Sequence, residues 1–221
     1  MSKFRHFSLL ISIIAALSLA GAAQSLDDSD NESWNDLQIT IPAGKRVDVL
    51  LLGTVRLGDD LADLVEGRVG GGLSVKLNKA LSVSPTYQHI ETRNGSGVFK
   101  TEHRYSLRGT YKFPFKRFGL IHKSTYEYRV RSSGNSWRYR PALTFEKALP
   151  KSFLREAKVF VTEEPFYVST TKKFSRNRFS VGVSKTFSPH LTLDVYYLRQ
   201  QDGYSHPGDL NVLGTAWKVH L

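Results

Sequence analysis

The sequence contains no cysteine and a single methionine. A chain without cysteine builds neither a disulfide scaffold nor a thiolate metal site, so its stability must come from packing and backbone hydrogen bonding. Long apolar runs are missing too. Past residue 25 nothing approaches the roughly 18 unbroken apolar residues of a spanning helix, and no stretch repeats its apolar residues with a helical period. Acidic residues are outnumbered, 20 Asp and Glu against 31 Lys and Arg, for a formal net charge of +11. Inside a cell that balance would point to nucleic acid. In an exported protein it points to anionic headgroups or acidic solutes.

What the chain does have is alternation. From Glu102 to Phe113 one parity reads Glu, Arg, Ser, Arg, Thr, Lys and the other His, Tyr, Leu, Gly, Tyr, Phe. Glu127, Arg129 and Arg131 against Tyr126, Tyr128 and Val130 repeat the pattern, as do Arg138, Arg140, Thr144 and Glu146 against Trp137, Tyr139, Leu143 and Phe145. Successive side chains of a strand point to opposite faces, so these are ribbons with one charged and one aromatic-aliphatic side. One face of such a sheet must be hidden from water. The mean hydropathy of −0.30 does not decide how, because a polar lumen gives the same average as a soluble exterior.

The N-terminus carries the marks of a secretory signal: Lys3, Arg5 and His6, then an apolar core from Phe7 to Leu19, then Ala20-Gly21-Ala22 as a cleavage site. Residues 1–22 are expected to be that signal, residues 23–33 a disordered acidic leader, and residues 34–221 a single barrel domain. Along the barrel, alternating segments start near Trp34 and Val47. They continue through 64–78, 80–92, the three ribbons, 155–165, 175–187, Leu191 to Gln200 and the C-terminal Leu213 to Leu221. Gly70-Gly71-Gly72 lies inside a strand pattern with no helix after it, which argues for a bend or bulge rather than a phosphate loop. Pro85 within its strand also suggests a bulge.

The pattern predicts an all-β, antiparallel up-and-down transmembrane β-barrel of 10–12 strands with a charged Arg/Glu lumen. The segments number eleven, whereas single-chain bacterial barrels have even counts. Either the Trp34 segment is no wall strand, or a twelfth is hidden. A soluble lipocalin-like barrel would turn the faces the other way. Three features favour the membrane form. Aromatics gather towards both strand ends, with Tyr87, Tyr105, Tyr126, Tyr128, Trp137, Tyr139, Phe179 and Tyr197 near one rim and Phe113, Phe118, Phe145, Phe187 and Trp217 near the other. Compact connections alternate with longer, more polar ones, and the chain stops on an alternating apolar strand.

Several short stretches carry a family resemblance: Trp34, Tyr126-Glu127-Tyr128-Arg129, Arg138-Tyr139-Arg140, Thr162-Glu163-Glu164-Pro165-Phe166, Asn177-Arg178 with Val181-Gly182, and Tyr196-Tyr197-Leu198-Arg199-Gln200. From Trp34 to Leu221 the chain resembles a bacterial outer-membrane family known only as a domain of unknown function, number 2490. The resemblance implies a barrel and no established activity. Asn135 to Pro141 bears a looser likeness to the small acidic-oligosaccharide porins, which line a narrow lumen with arginines.

The expected lumen network comprises Glu102, Arg104, Arg108, Glu127, Arg129, Arg131, Arg138, Arg140, Glu146, Arg176 and Arg178. Paired bidentately, these groups would tie strands together; with positive charge in surplus, they would favour anions. The leading expectation is an outer-membrane protein acting as a narrow passive route for small anionic solutes. Its rival is a closed structural or interaction barrel. No catalytic residue, cofactor or metal is expected. Ser205-His206, His89, His103 and His122 form no obvious nucleophile–base pair for a lipid hydrolase, and Glu163-Glu164 offers at most an exposed acidic pair for a divalent cation. The expected partners are outer-membrane lipid, lipopolysaccharide and small anionic solutes, with no nucleic acid.

Overall fold

Each alternating segment forms a strand in the computed structural model, which describes residues 29–205 and 208–221. The strands are β1 (Ser29–Pro42), β2 (Val47–Gly58), β3 (Asp63–Lys76), β4 (Leu81–Arg93), β5 (Phe99–Lys112), β6 (Gly119–Arg131), β7 (Ser136–Ala148), β8 (Ala157–Val168), β9 (Lys173–Ser188), β10 (Leu191–Asp202) and β11 (Asp209–His220). They close into one barrel in sequence order. The expected signal and residues 23–28 of the expected leader lie outside the described residues. Residues 29–33 do not belong to a leader: β1 begins at Ser29.

The even strand count is not met. Neighbours are antiparallel all round the wall, so in an eleven-stranded barrel the first and last strands run the same way. β1 accordingly pairs β11 in parallel, from Ser29 opposite Asp209 to Thr40 opposite His220. Parallel pairing is slightly less stable per residue. This closure is backed from inside by the apolar cluster of Trp34, Leu198, Leu210 and Val212, with Tyr196 packed on it. Gly214 lies opposite both Trp34 and Tyr196. A Cβ there would run into the Tyr196 ring, so the missing side chain lets that ring lie across the seam.

The faces are arranged apolar outward and charged inward. Leu51, Val55, Val69, Leu73, Leu107, Val181, Val195 and Leu213 are exposed, while Glu66, Glu102, Arg104, Glu127, Arg138 and Arg178 are buried. The inside-out soluble arrangement is therefore excluded. Outward rings form two chains of contacts. One links Tyr126, Trp137, Tyr167 and Phe174, and the other Tyr111, Phe113, Phe115, Phe118 and Phe145 at the opposite end. Loop lengths do not alternate as expected. The connections 43–46, 77–80, 113–118, 149–156 and 189–190 are no more compact as a set than 59–62, 94–98, 132–135, 169–172 and 203–208 at the other end, here called the mouth.

The glycine triplet is not a bulge. Gly70, Gly71 and Gly72 keep continuous register with Leu52, Leu51 and Leu50, and the irregularity of that pair lies between Arg56 and Leu57. Their role is close approach. Inward Cβ atoms at Gly70 and Gly72 would collide with the carbonyl oxygens of Tyr87 and Pro85, and would stand 2.8 Å from Cα of Gln88 and Thr86. The same two positions face Leu52 and Leu50, the apolar residues that break the polar parity of β2. Pro85 produces no bulge either; the β3–β4 ladder skips it and resumes in the same register. A second gap opens between β7 and β8, where pairing stops at Tyr139–Tyr167 and resumes at Leu143–Glu163. Pro141 and Pro165, which lack an N–H, stand in that gap.

Gly70→Ala should lower stability by about 1–3 kcal/mol, since β4 backbone must move to admit the methyl group. Gly67→Ala, on the same strand with nothing within 4 Å of its Cβ, should be near neutral. Urea unfolding in detergent micelles, followed by tryptophan fluorescence, compares the two. Equal tolerance would refute the close-approach role.

Candidate functional site: the ion-paired lumen

Strand parity carries the charged positions inward, and the register sets carboxylates on one strand beside guanidinium groups on the next. Glu66 of β3 binds Arg56 of β2 at 3.0 Å and its own strand's Arg68. Glu102 of β5 receives Arg104 at 2.5 Å and Arg129 of β6 at 2.6 Å. Glu127 of β6 holds Arg138 and, at 2.7 Å, Arg140, both from β7. Arg140 continues to Glu164 of β8 at 2.8 Å. Arg176 of β9 pairs with Asp202 of β10 at 2.5 Å. The Arg140–Glu164 bridge crosses the wall at the proline gap, so a side-chain ion pair joins β7 to β8 where the backbone ladder does not.

Two aromatic side chains sit inside this ionic belt. Phe166 is fully buried, and the guanidinium carbons of Arg140, Arg178, Arg138 and Arg176 lie 4.6, 4.8, 5.4 and 5.8 Å from its ring centroid. Trp34 is covered by Arg56 at 3.6 Å and Arg178 at 4.6 Å, and its indole N–H donates to Glu32. A ring face is a negative surface that orients planar cations without neutralising them. Arg178 has no carboxylate partner among the described residues; its Nε donates to Oε1 of Gln200 at 2.8 Å.

Between this belt and the mouth is a cavity of about 650 Å³, lined by Arg56, Arg104, Arg138, Arg176 and Arg178 among others. One lip of it is acidic. There Asp30 accepts the backbone N–H groups of Asp59 and Asp60, both at 2.9 Å, and pins a β2–β3 turn whose Asp59, Asp60 and Leu61 have φ of 52°, 51° and 73°. Deeper towards the far end the inward basic residues are less well matched. Arg108 donates to Thr125 at 3.2 Å, and neither it nor Lys123 has an ion-pair partner among the described residues.

All the expected network residues point inward, though they do not form one unit. Arg131 reaches Ser136 at 2.9 Å and Glu102 only at 3.9 Å. Glu146 pairs with Lys158 at 3.0 Å, away from the belt. Glu164, Asp202, Gln200, Trp34 and Phe166 belong to the site but not to the expected network. Parity was the available signal for Glu164 and Phe166, which share the face of Thr162. The proposed cation pair Glu163-Glu164 is split for the same reason: Glu164 turns in to Arg140, and Glu163 turns out to Nδ2 of Asn177 at 2.6 Å. Of the residues weighed for hydrolysis, His206 lies outside the described residues, and Ser205 Oγ donates to Asp202 at 2.9 Å. His89, His103 and His122 are on the outer wall; His122 meets Ser124 at 3.0 Å, which in turn meets Tyr139 at 3.0 Å.

An eleven-stranded closed barrel with an apolar exterior and an ion-paired, arginine-rich lumen is the class of protein that these features define. The family described as "Protein of unknown function (DUF2490)" matches residues 31–211, and the chain belongs to it. No curated protein matches the sequence. Among solved structures the barrel is similar to an anion-selective porin from Comamonas acidovorans, at 14% identity and a TM-score of 0.41, over 80% of this chain and 54% of that one. The chain thus spans about half the length of that porin, and a likeness of this degree says nothing about solutes.

Replacing Glu127 by Gln should cost about 3–5 kcal/mol, because Arg138 and Arg140 would keep buried charges with one carboxylate gone. Glu146→Gln, on a pair half-open to solvent, should cost no more than about 1 kcal/mol. Heat unfolding in micelles measures both, and equal losses would mean that the belt holds the barrel no better than a surface pair does.

Proposed function

We propose that the barrel spans the bacterial outer membrane and gives small anionic solutes a narrow passive route. The exposed Leu, Val and aromatic exterior suits hydrocarbon with interfacial rings, and the signal-like N-terminus suits export. The observation that carries the selectivity is a set of inward basic side chains at successive depths that have no carboxylate partner among the described residues. Arg178 lies in the mouth half, Arg108 below it, and Lys123 one step further along the wall, opposite Thr110. Arg108 faces the lumen yet is exposed, so solvent reaches that depth. Unmatched fixed charges of one sign along a watered path favour counter-ions of the other sign. The reading is not catalytic.

A second reading has its own support. Phe166 is completely buried, and Arg140 links Glu127 to Glu164 beside it, which would suit a closed barrel whose belt serves stability. Planar-bilayer recording under a salt gradient separates the two. The pore reading expects a small conductance with an anion-directed reversal potential, and a several-fold loss of anion preference in Arg108→Glu/Lys123→Glu. Purified, folded barrel that yields no conductance would sink the pore and leave the closed barrel.

A further inference from the structure

We infer that the mouth cavity binds a phosphoryl group, with Arg138 and Arg178, held against the buried rings of Phe166 and Trp34, as its principal donors. The inference rests on Arg178, whose lack of a carboxylate partner among the described residues also supports the pore, and not on conduction.

The cavity, about 650 Å³, is of a size that holds a small solute. Eight of its lining residues are arginines. The carboxylates that pair with them are Asp63, Glu66, Glu102, Glu127 and Asp202, and Glu127 is shared with Arg140. The cavity also carries Asp30, Glu32, Asp59 and Asp60. Asp30 caps the β2–β3 turn, Asp60 accepts from Asn31, and Glu32 takes the Trp34 indole.

The way the arginines are held matters more than their number. Arg138 is anchored through Nε on Glu127, and Arg178 through Nε on Gln200. Both Nη groups of each have no hydrogen-bond partner among the described residues, and both side chains line the cavity. Arg178 lies between two rings, 4.6 Å from the Trp34 centroid and 4.8 Å from that of Phe166, with Arg138 at 5.4 Å from the same Phe166 centroid. The rings and the Nε anchors fix the guanidinium planes and leave their forks unfilled. Forks held in this way open on the cavity, where an anion can complete them.

Donors from β7 and β9 share the cavity, and Arg104 and Arg176 each keep an unused Nη1 on it. A carboxylate offers two oxygens, whereas a phosphoryl group offers three to several forks at once. The geometry therefore favours a tetrahedral oxyanion, whether on a soluble phosphomonoester or on a lipid headgroup.

Trp34 carries Arg178 on its ring face and so reports on the site; the test uses the full barrel in micelles with Trp137→Phe and Trp217→Phe. Sodium phosphate at constant ionic strength should change Trp34 fluorescence saturably, with acetate and chloride at least tenfold weaker. Arg178→Lys keeps the charge but loses the fork, and should weaken phosphate at least tenfold; Arg131→Gln should stay within twofold. Should Arg178→Lys fail to fold by heat-unfolding criteria, Arg138→Lys makes the same comparison. Tighter binding of glycerol phosphate than of dodecyl phosphate assigns a soluble ligand, and the reverse assigns a headgroup. No saturable response to any of the three phosphates, or an unchanged affinity in the lysine variant, overturns the site. A barrel that binds without conducting keeps the site and loses the pore, and one that conducts anions without saturable phosphate binding does the opposite.

Discussion

The structure depends on pairing guanidinium with carboxylate inside a wall whose outer face is apolar. Charge enclosed in a narrow lumen is tolerable only when it is matched or hydrated. The register meets that demand by placing each key carboxylate beside arginines of the adjoining strand. Glu127 serves two arginines of β7, and Arg140 passes on to Glu164 of β8. That last contact lies where Pro141 and Pro165 interrupt the backbone ladder. The ionic belt therefore acts as a second set of cross-strand links, placed where the first set is broken.

Closure is handled differently from the rest of the wall. An odd number of alternating strands forces a parallel joint between β1 and β11. Across the mouth half of this joint Trp34, Leu198, Leu210 and Val212 form an apolar pad, and Gly214 makes room for Tyr196. Apolar burial has no directional requirement, which suits a joint whose hydrogen bonds are slanted. Trp34 belongs to both regions, packing on the pad with one part and carrying Arg56 and Arg178 with its ring face. It couples the joint to the arginine-lined cavity.

Much of this was legible from alternation alone. The inward set from Glu102 to Arg178 followed from parity, because a period of two leaves a residue only one of two faces. The same rule, carried past Thr162, would have turned Glu164 and Phe166 inward and separated Glu164 from Glu163. Asp202 escaped because a Gly-containing polar stretch after Gln200 looks like a loop, while the strand in fact runs to Asp202 to meet Arg176. The even strand count failed because it is a regularity of other barrels. It is not a requirement of geometry, and a parallel joint satisfies the backbone as fully.

By itself, then, the order of residues determined which side chains share a face, and with that the barrel class and its greasy exterior. Period and polarity are local properties, and they are written along a single strand. Which arginine would meet which carboxylate, which guanidinium would keep empty forks, and how the first strand would meet the last were decided only in three dimensions. These depend on the stagger between strands far apart in the chain and on the closure of the ring, where a shift of two residues preserves every face but changes every partner.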